Sequence, residues 1–173
     1  MLLNVQDLAQ RKEPVALEES FDASSAFADI AGVAPLGPVT AKLTASYADG
    51  LIEVSGDVAC RFRLTCSRCL DPVEDELCVP FHETFKVVSR EAASATDEQD
   101  GEDFVPIEGE RLELRPYVVE ELIVQLPLAP LCREDCKGLC PECGSNRNEA
   151  ECGCATEKID PRLAALKGWF GPK

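Results

Sequence analysis

The segment Cys140-Pro141-Glu142-Cys143-Gly144 has the form of a zinc knuckle. Two thiolates three residues apart can both reach one ion, and the glycine after the second permits the positive φ that turns backbone amides toward sulfur. Cys152 and Cys154 follow a short loop later and can close a tetrahedral four-thiolate site with this pair. A second CxxC, Cys66-Ser67-Arg68-Cys69, lies far upstream, and Cys132 and Cys136 stand just before the knuckle. Eight cysteines in these positions are enough for two zinc ions. The preferred pairing places Cys140, Cys143, Cys152 and Cys154 on one ion by local spacing. Cys66, Cys69, Cys132 and Cys136 would share the other, which requires a meeting that spacing alone does not prove. Cys60 and Cys78 stand apart and read as small buried apolar side chains.

A four-thiolate zinc centre carries about two net negative charges, so it favours nearby cations and amide donors. Arg61, Arg63, Arg68, Arg133, Lys137 and Arg147 all lie close to cysteines in a chain otherwise poor in bases. The same cations suit phosphate or a partner surface equally well. Catalysis fits poorly, because a catalytic zinc keeps an open position and recruits His or carboxylate ligands. The single histidine, His82, falls in an expected strand and reads as an ordinary strand residue, and no triad, phosphate loop or carboxylate pair is visible. Thiol–disulfide or redox-sensing chemistry at Cys66 and Cys69 is the rival reading. Redox CxxC pairs start helices beside βαβ units, however, and the flanks here read as strands.

Those flanks are the elements that must position the thiols. Val39, Ala41, Leu43, Ala45 and Tyr47 alternate, Ala48-Asp49-Gly50 reads as a turn, and Ile52 to Leu64 alternate again. This is the pattern of a β-hairpin with one buried face. A third strand is expected over Val73 to Val88, broken or bulged near Pro80. The first CxxC thus occupies the turn between two strands. Arg111 to Leu114 reads as a short strand. Val118, Val119, Leu122, Ile123 and Leu126 fall at helical spacing between Pro116 and Pro127, giving an amphipathic helix packed on the sheet. Another short helix is expected from Asp160, with Pro161 in its first turn and Leu163, Leu166 and Trp169 on one face. The first 35 residues are compatible with strand or loose helix.

Residues 91–110 hold eight acids and no base, and the part near 91–103 is expected to be a mobile acidic surface loop. Over the whole chain 17 bases face 32 acids, a net charge of −15. Bare nucleic acid repels such a chain at long range, so direct binding to naked RNA is disfavoured. The charge suits a basic partner such as a ribosomal protein, or simply solubility. No apolar run approaches the roughly 20 residues a bilayer requires, and the first residues lack a basic region followed by an apolar stretch. The expectation is therefore a cytoplasmic protein with no membrane partner, where reduced cysteines bind metal instead of forming disulfides.

The hairpin bearing Cys66-Ser67-Arg68-Cys69-Leu70, the acidic middle and the Val-Glu-Glu-Leu-Ile helix come in a distinctive order. They are followed by Pro127 to Cys132, by Gly138 to Gly144 and by Asp160-Pro161-Arg162-Leu163. This order resembles the YceD family. The resemblance implies a role in large ribosomal subunit biogenesis and in accumulation of its 23S RNA, and it supplies no mechanism. The combined expectation is an α+β fold, an antiparallel sheet with one or two packed helices and a cysteine-rich zinc-binding C-terminal segment. Its body would span 1–130, and its zinc-binding tail with a short helix 131–173. It would act by binding a ribosomal protein or a large-subunit RNA–protein intermediate, without a small-molecule substrate. A zinc-stabilised interaction module without a ribosomal role is the plainer alternative.

Overall fold

The computed structural model describes residues 1–11, 13–88, 104–154 and Arg162. The expected acidic loop near 91–103 and the expected helix from Asp160 lie outside the described residues. Eight strands and two helices follow in chain order: β1 (Leu2–Asn4), α1 (Val5–Gln10), β2 (Val15–Phe21), β3 (Val33–Pro35), β4 (Val39–Ala48), β5 (Leu51–Thr65), β6 (Pro72–Val87), β7 (Val105–Ile107), β8 (Arg111–Glu113) and α2 (Arg115–Gln125). A 3₁₀ turn, Ser24–Phe27, separates β2 from β3.

The main sheet runs β2-β4-β5-β6-β7, and β3 takes the edge of β5 beyond the end of β4. Every pairing is antiparallel except β6 with β7. The architecture is thus the expected α+β one, with a short parallel strand added at one edge. The β4–β5 hairpin closes through Asp49 and Gly50 alone, both at positive φ (51° and 86°), with Ala48 opposite Leu51. Asp-Gly is the pair that tolerates the two positive φ angles a tight hairpin demands.

Alternation places Val39, Ala41, Leu43 and Ala45 of β4 on one face with Ile52, Val54, Val58, Phe62 and Leu64 of β5, all buried. Tyr47 departs from the expected pattern and is exposed at the end of β4. Helix α2 covers β6 and β5 with Val118 and Leu122, and α1 covers β4 with Val5 and Leu8. Rings seal the layer: Phe27 meets Phe62 edge-on at 5.0 Å, and Phe85 meets Tyr117 at 4.9 Å. Phe27 arrives from the first 35 residues, which resolve into β1, α1, β2 and the 3₁₀ turn before β3.

Strand β6 differs from expectation at Pro80. Its register with β5 is unbroken from Leu51↔Lys86 to Thr65↔Pro72, with Pro80 opposite Asp57 and no bulge. Among the described residues the parallel neighbour covers only Phe85–Val87, so within them β6 is an edge strand at Pro80, where sheets accept proline. The product is a long, continuous β5–β6 hairpin whose tip is Cys66–Asp71.

Candidate metal centres

The hairpin tip carries the first knuckle. Cys66 N–H donates to the Asp71 carbonyl at 2.9 Å, and Leu70 N–H to the Cys66 carbonyl at 3.0 Å. The second knuckle repeats the pattern: Cys140 N–H donates to the Ser145 carbonyl at 2.8 Å and Gly144 N–H to the Cys140 carbonyl at 2.8 Å. Each knuckle ends in a residue at positive φ, Leu70 at 65° and Gly144 at 74°. The glycine is expected at such a place; the leucine is not, and it is 62% exposed.

The structure gathers eight sulfurs into two groups of four, Cys66, Cys69, Cys132 and Cys136 in one and Cys140, Cys143, Cys152 and Cys154 in the other. Within each group all sulfurs lie within 4.8 Å of one another. In the first, Cys66 Sγ is 3.9 Å from Cys136 Sγ and Cys69 Sγ is 3.5 Å from Cys132 Sγ. A tetrahedral ion with metal–sulfur bonds near 2.3 Å separates its sulfurs by about 3.8 Å. Sulfurs in a disulfide lie about 2.0 Å apart, and all ten cysteines are free. Both groups therefore fit a soft tetrahedral ion.

The first centre joins the body to the C-terminal segment. Ser67 N–H and Oγ donate to the Pro130 carbonyl at 2.8 and 3.0 Å, docking the approach to Cys132. Arg68 Nη1 donates to the carbonyls of Glu134 and Cys136 at 3.2 and 2.9 Å, bracing the loop between two ligands. Cys66, Cys69 and Cys136 are buried against Val73, Leu131 and Leu139, while Cys132 is the most open of the four. Gly138, at φ 71°, lies over the Arg68 carbonyl, where a Cβ would approach to 2.9 Å.

Electrostatics divides each group. Cys66 is pulled down to about 6, first by the Cys69 N–H and then by those of Arg68 and Cys132, against burial. Burial pushes Cys136 up, but the Asn148 amide and the Gly138 N–H outweigh it and its pKa falls. Cys132 is raised by burial. The Asp71 N–H favours the Cys69 thiolate, yet burial, the Asp71 carboxylate and the neighbouring thiols push Cys69 strongly upward. In the second group the amides of Cys143 and Glu142 lower Cys140, and the Ser145 hydroxyl and N–H bring Cys143 down to about 6. Cys152 is raised, first by hydrogen bonding with Cys140, and Cys154 is pushed up to about 12 by Cys143 and burial. Crowded thiols cannot all ionise side by side, and a central cation removes that conflict.

The cations singled out by sequence differ in their partners. Arg61 and Arg63 flank Glu74 across the hairpin at 3.5 and 3.2 Å, and Arg133 pairs with Asp135 at 3.5 Å. Arg68 is engaged by loop carbonyls, whereas Lys137 and Arg147 line a polar hollow beside Cys152 and Cys154. Cys60 is buried, as a small apolar residue should be, but Cys78 is exposed, because β6 turns it away from the core-facing Val79 and Phe81. His82 pairs with Ser55 within the ladder. Sequence reasoning missed Ser145 and Asn148, whose side chains reach the sulfurs of Cys143 at 2.8 Å and Cys136 at 3.3 Å. The available signal was the polar run Ser145-Asn146-Arg147-Asn148 between ligands.

The profile of the YceD family, described as large ribosomal RNA subunit accumulation protein YceD, matches residues 54–169. The chain belongs to the YceD family. The match takes in β5 from Val54 onward, β6, α2 and all eight clustered cysteines. An uncharacterized protein of Mycobacterium tuberculosis is 38% identical over 129 residues, covering 74% of this chain and 59% of the relative. A Zea mays protein named large ribosomal RNA subunit accumulation protein YCED homolog 1, chloroplastic, is 26% identical over 82% of this chain and 57% of its own length. The uncharacterized protein YlbN of Bacillus subtilis is 26% identical over 76% of this chain and 74% of its own. The chain thus spans about three-fifths of the mycobacterial relatives' length. No solved structure matches. No described helix is long and apolar enough to cross a membrane.

Proposed function

We propose that this YceD-family chain is an accessory factor for large ribosomal subunit biogenesis, promoting accumulation of 23S RNA by binding and not by catalysis. The family match over residues 54–169 carries the reading, because it covers the hairpin and both cysteine groups together. The partner is a ribosomal protein or a large-subunit RNA–protein intermediate in the cytoplasm. A net charge of −15 steers the chain toward basic protein surfaces and away from naked RNA.

Each cysteine group holds one structural zinc in this reading. Four thiolates fill a tetrahedral ion and leave no position for substrate, so the metal supplies cross-linking instead of a reactive centre. The centre of Cys66, Cys69, Cys132 and Cys136 bridges ligands 63 and 70 residues apart. Its binding free energy is therefore folding free energy.

Depleting the protein from cells that make it is expected to lower large-subunit RNA relative to small-subunit RNA. Ratios unchanged under cold and other stress would sink the ribosomal reading. Zinc measured per chain after anaerobic purification is expected near two. A value near one would support only the local centre, and zero with reversible disulfides would transfer the chain to thiol redox chemistry.

A further inference from the structure

The loop of the second centre reaches a sulfur of the first through Asn148. Asn148 lies in the loop between Cys143 and Cys152, both of the second centre, yet its Nδ2 donates to Cys136 Sγ of the first at 3.3 Å. Its Oδ1 accepts the Lys137 N–H at 2.8 Å, so the amide grips both Cys136 and the residue after it. Asn146 holds Asn148 in place, accepting from its N–H at 3.1 Å and from its Nδ2 at 2.8 Å. Asn146 Nδ2 in turn donates to Asp71 Oδ2 at 3.1 Å, beside the first knuckle. The backbone reinforces the contact: Leu139 N–H, just before Cys140, donates to the Arg68 carbonyl at 3.0 Å, and Arg147 N–H donates to the Gly138 carbonyl at 2.9 Å.

This loop has no regular secondary structure of its own beyond the isolated Leu139↔Asn146 bridge. Its ends are candidate ligands, so a common ion on Cys143 and Cys152 would restrain it. Such an ion would narrow the loop to conformations that keep Asn148 on Cys136. Hydrogen bonds to a ligating sulfur from outside the coordination sphere orient it and tune its affinity for metal. Coupling of this kind is reciprocal, because binding free energies form a closed cycle.

We propose that Asn148 is a positioning residue that couples the two centres, so that filling the second centre tightens zinc binding at the first. The inference rests on the zinc reading above, and its failure is separable from failure of that reading. A chain that binds no zinc overturns the zinc reading, whereas uncoupled binding of two ions overturns only the coupling.

The test is zinc competition against a chromophoric chelator, with Zn²⁺ alone as the probe. It compares the intact chain, Asn148→Ala, Cys152→Ser/Cys154→Ser and the combination of the three substitutions. Asn148→Ala keeps all eight thiols and is expected to bind two ions, with the first centre weakened about 10- to 100-fold. Emptying the second centre is expected to weaken the first by a similar factor, and adding Asn148→Ala to that chain to change little more. Unaltered affinity in Asn148→Ala would overturn the proposal. So would an equal further loss when Asn148→Ala is added to the emptied chain, since Asn148 would then act without reference to the second ion. If the double serine chain loses its far-ultraviolet circular dichroism, Cys154→Ser, which keeps three thiolates, takes its place in the same cycle.

Discussion

Leu70 shows most clearly what a metal knuckle asks of a single residue. It occupies the left-handed conformation that Gly144 takes in the other knuckle, and its exposed side chain makes no compensating core contact. Left-handed backbone costs a non-glycine residue about 1–2 kcal/mol, and glycine's greater freedom when unfolded returns part of that gain. Leu70→Gly is therefore expected to stabilise the metal-loaded chain by about 0.5–1 kcal/mol, read as a shift in the urea midpoint. A destabilised variant would mean that Leu70 does packing work instead. Nothing in the sequence marks Leu70 for this role, since only the hydrogen-bond pattern of the turn demands positive φ there. Asn148 stands in a polar run between ligands, but spacing could not tell that its sulfur partner belongs to the other centre. The cysteines could be read because a thiolate's preference for soft metal is intrinsic to the residue.

At the scale of elements, legibility followed length and local pattern. The β4–β5 hairpin and α2 announce themselves by alternation, by Asp49-Gly50 and by Pro116, all local signals. The first 35 residues do not, because α1 is a six-residue helix whose Asn4 cap and buried Val5 and Leu8 acquire meaning only against the sheet. Within β5, Gly56 marks a close crossing: a Cβ there would lie 2.1 Å from the Lys42 carbonyl oxygen and 2.8 Å from Leu43 Cα. Backbone cannot give way as a flexible side chain can. Gly56→Ala is expected to cost about 2–3 kcal/mol by pushing β4 from β5. Chemical denaturation measures the loss, and hydrogen exchange should concentrate the added opening in those two strands.

Away from the cysteines, charge ties β2, β8 and α2 together. Glu19 of β2 accepts from Arg115 at the start of α2 and pairs with the Met1 ammonium at 2.6 Å, while the same ammonium meets Glu113 of β8 at 2.7 Å. The Arg115 hydrogen bond first, and the ammonium next, hold Glu19 down to about 2 from 4.5. A carboxylate depressed by folding stabilises the fold above its unfolded pKa and loses that contribution as pH falls through the folded one. Stability is thus expected to decline between about pH 4.5 and 2, and Glu19→Gln should lower stability at neutral pH while flattening that part of the curve. Urea midpoints across that range test it; parallel curves for the two proteins would reject the assignment.

The centre at the hairpin tip also imposes an order on biosynthesis. A ribosome delivers Cys66 and Cys69 long before Cys132 and Cys136, so the knuckle must wait through the emergence of β6, β7, β8 and α2 for its remaining ligands. The other centre needs only residues 140–154 and closes within one short stretch of new chain. Completion of the first centre is thus a late seal, set only after nearly every described element has been made.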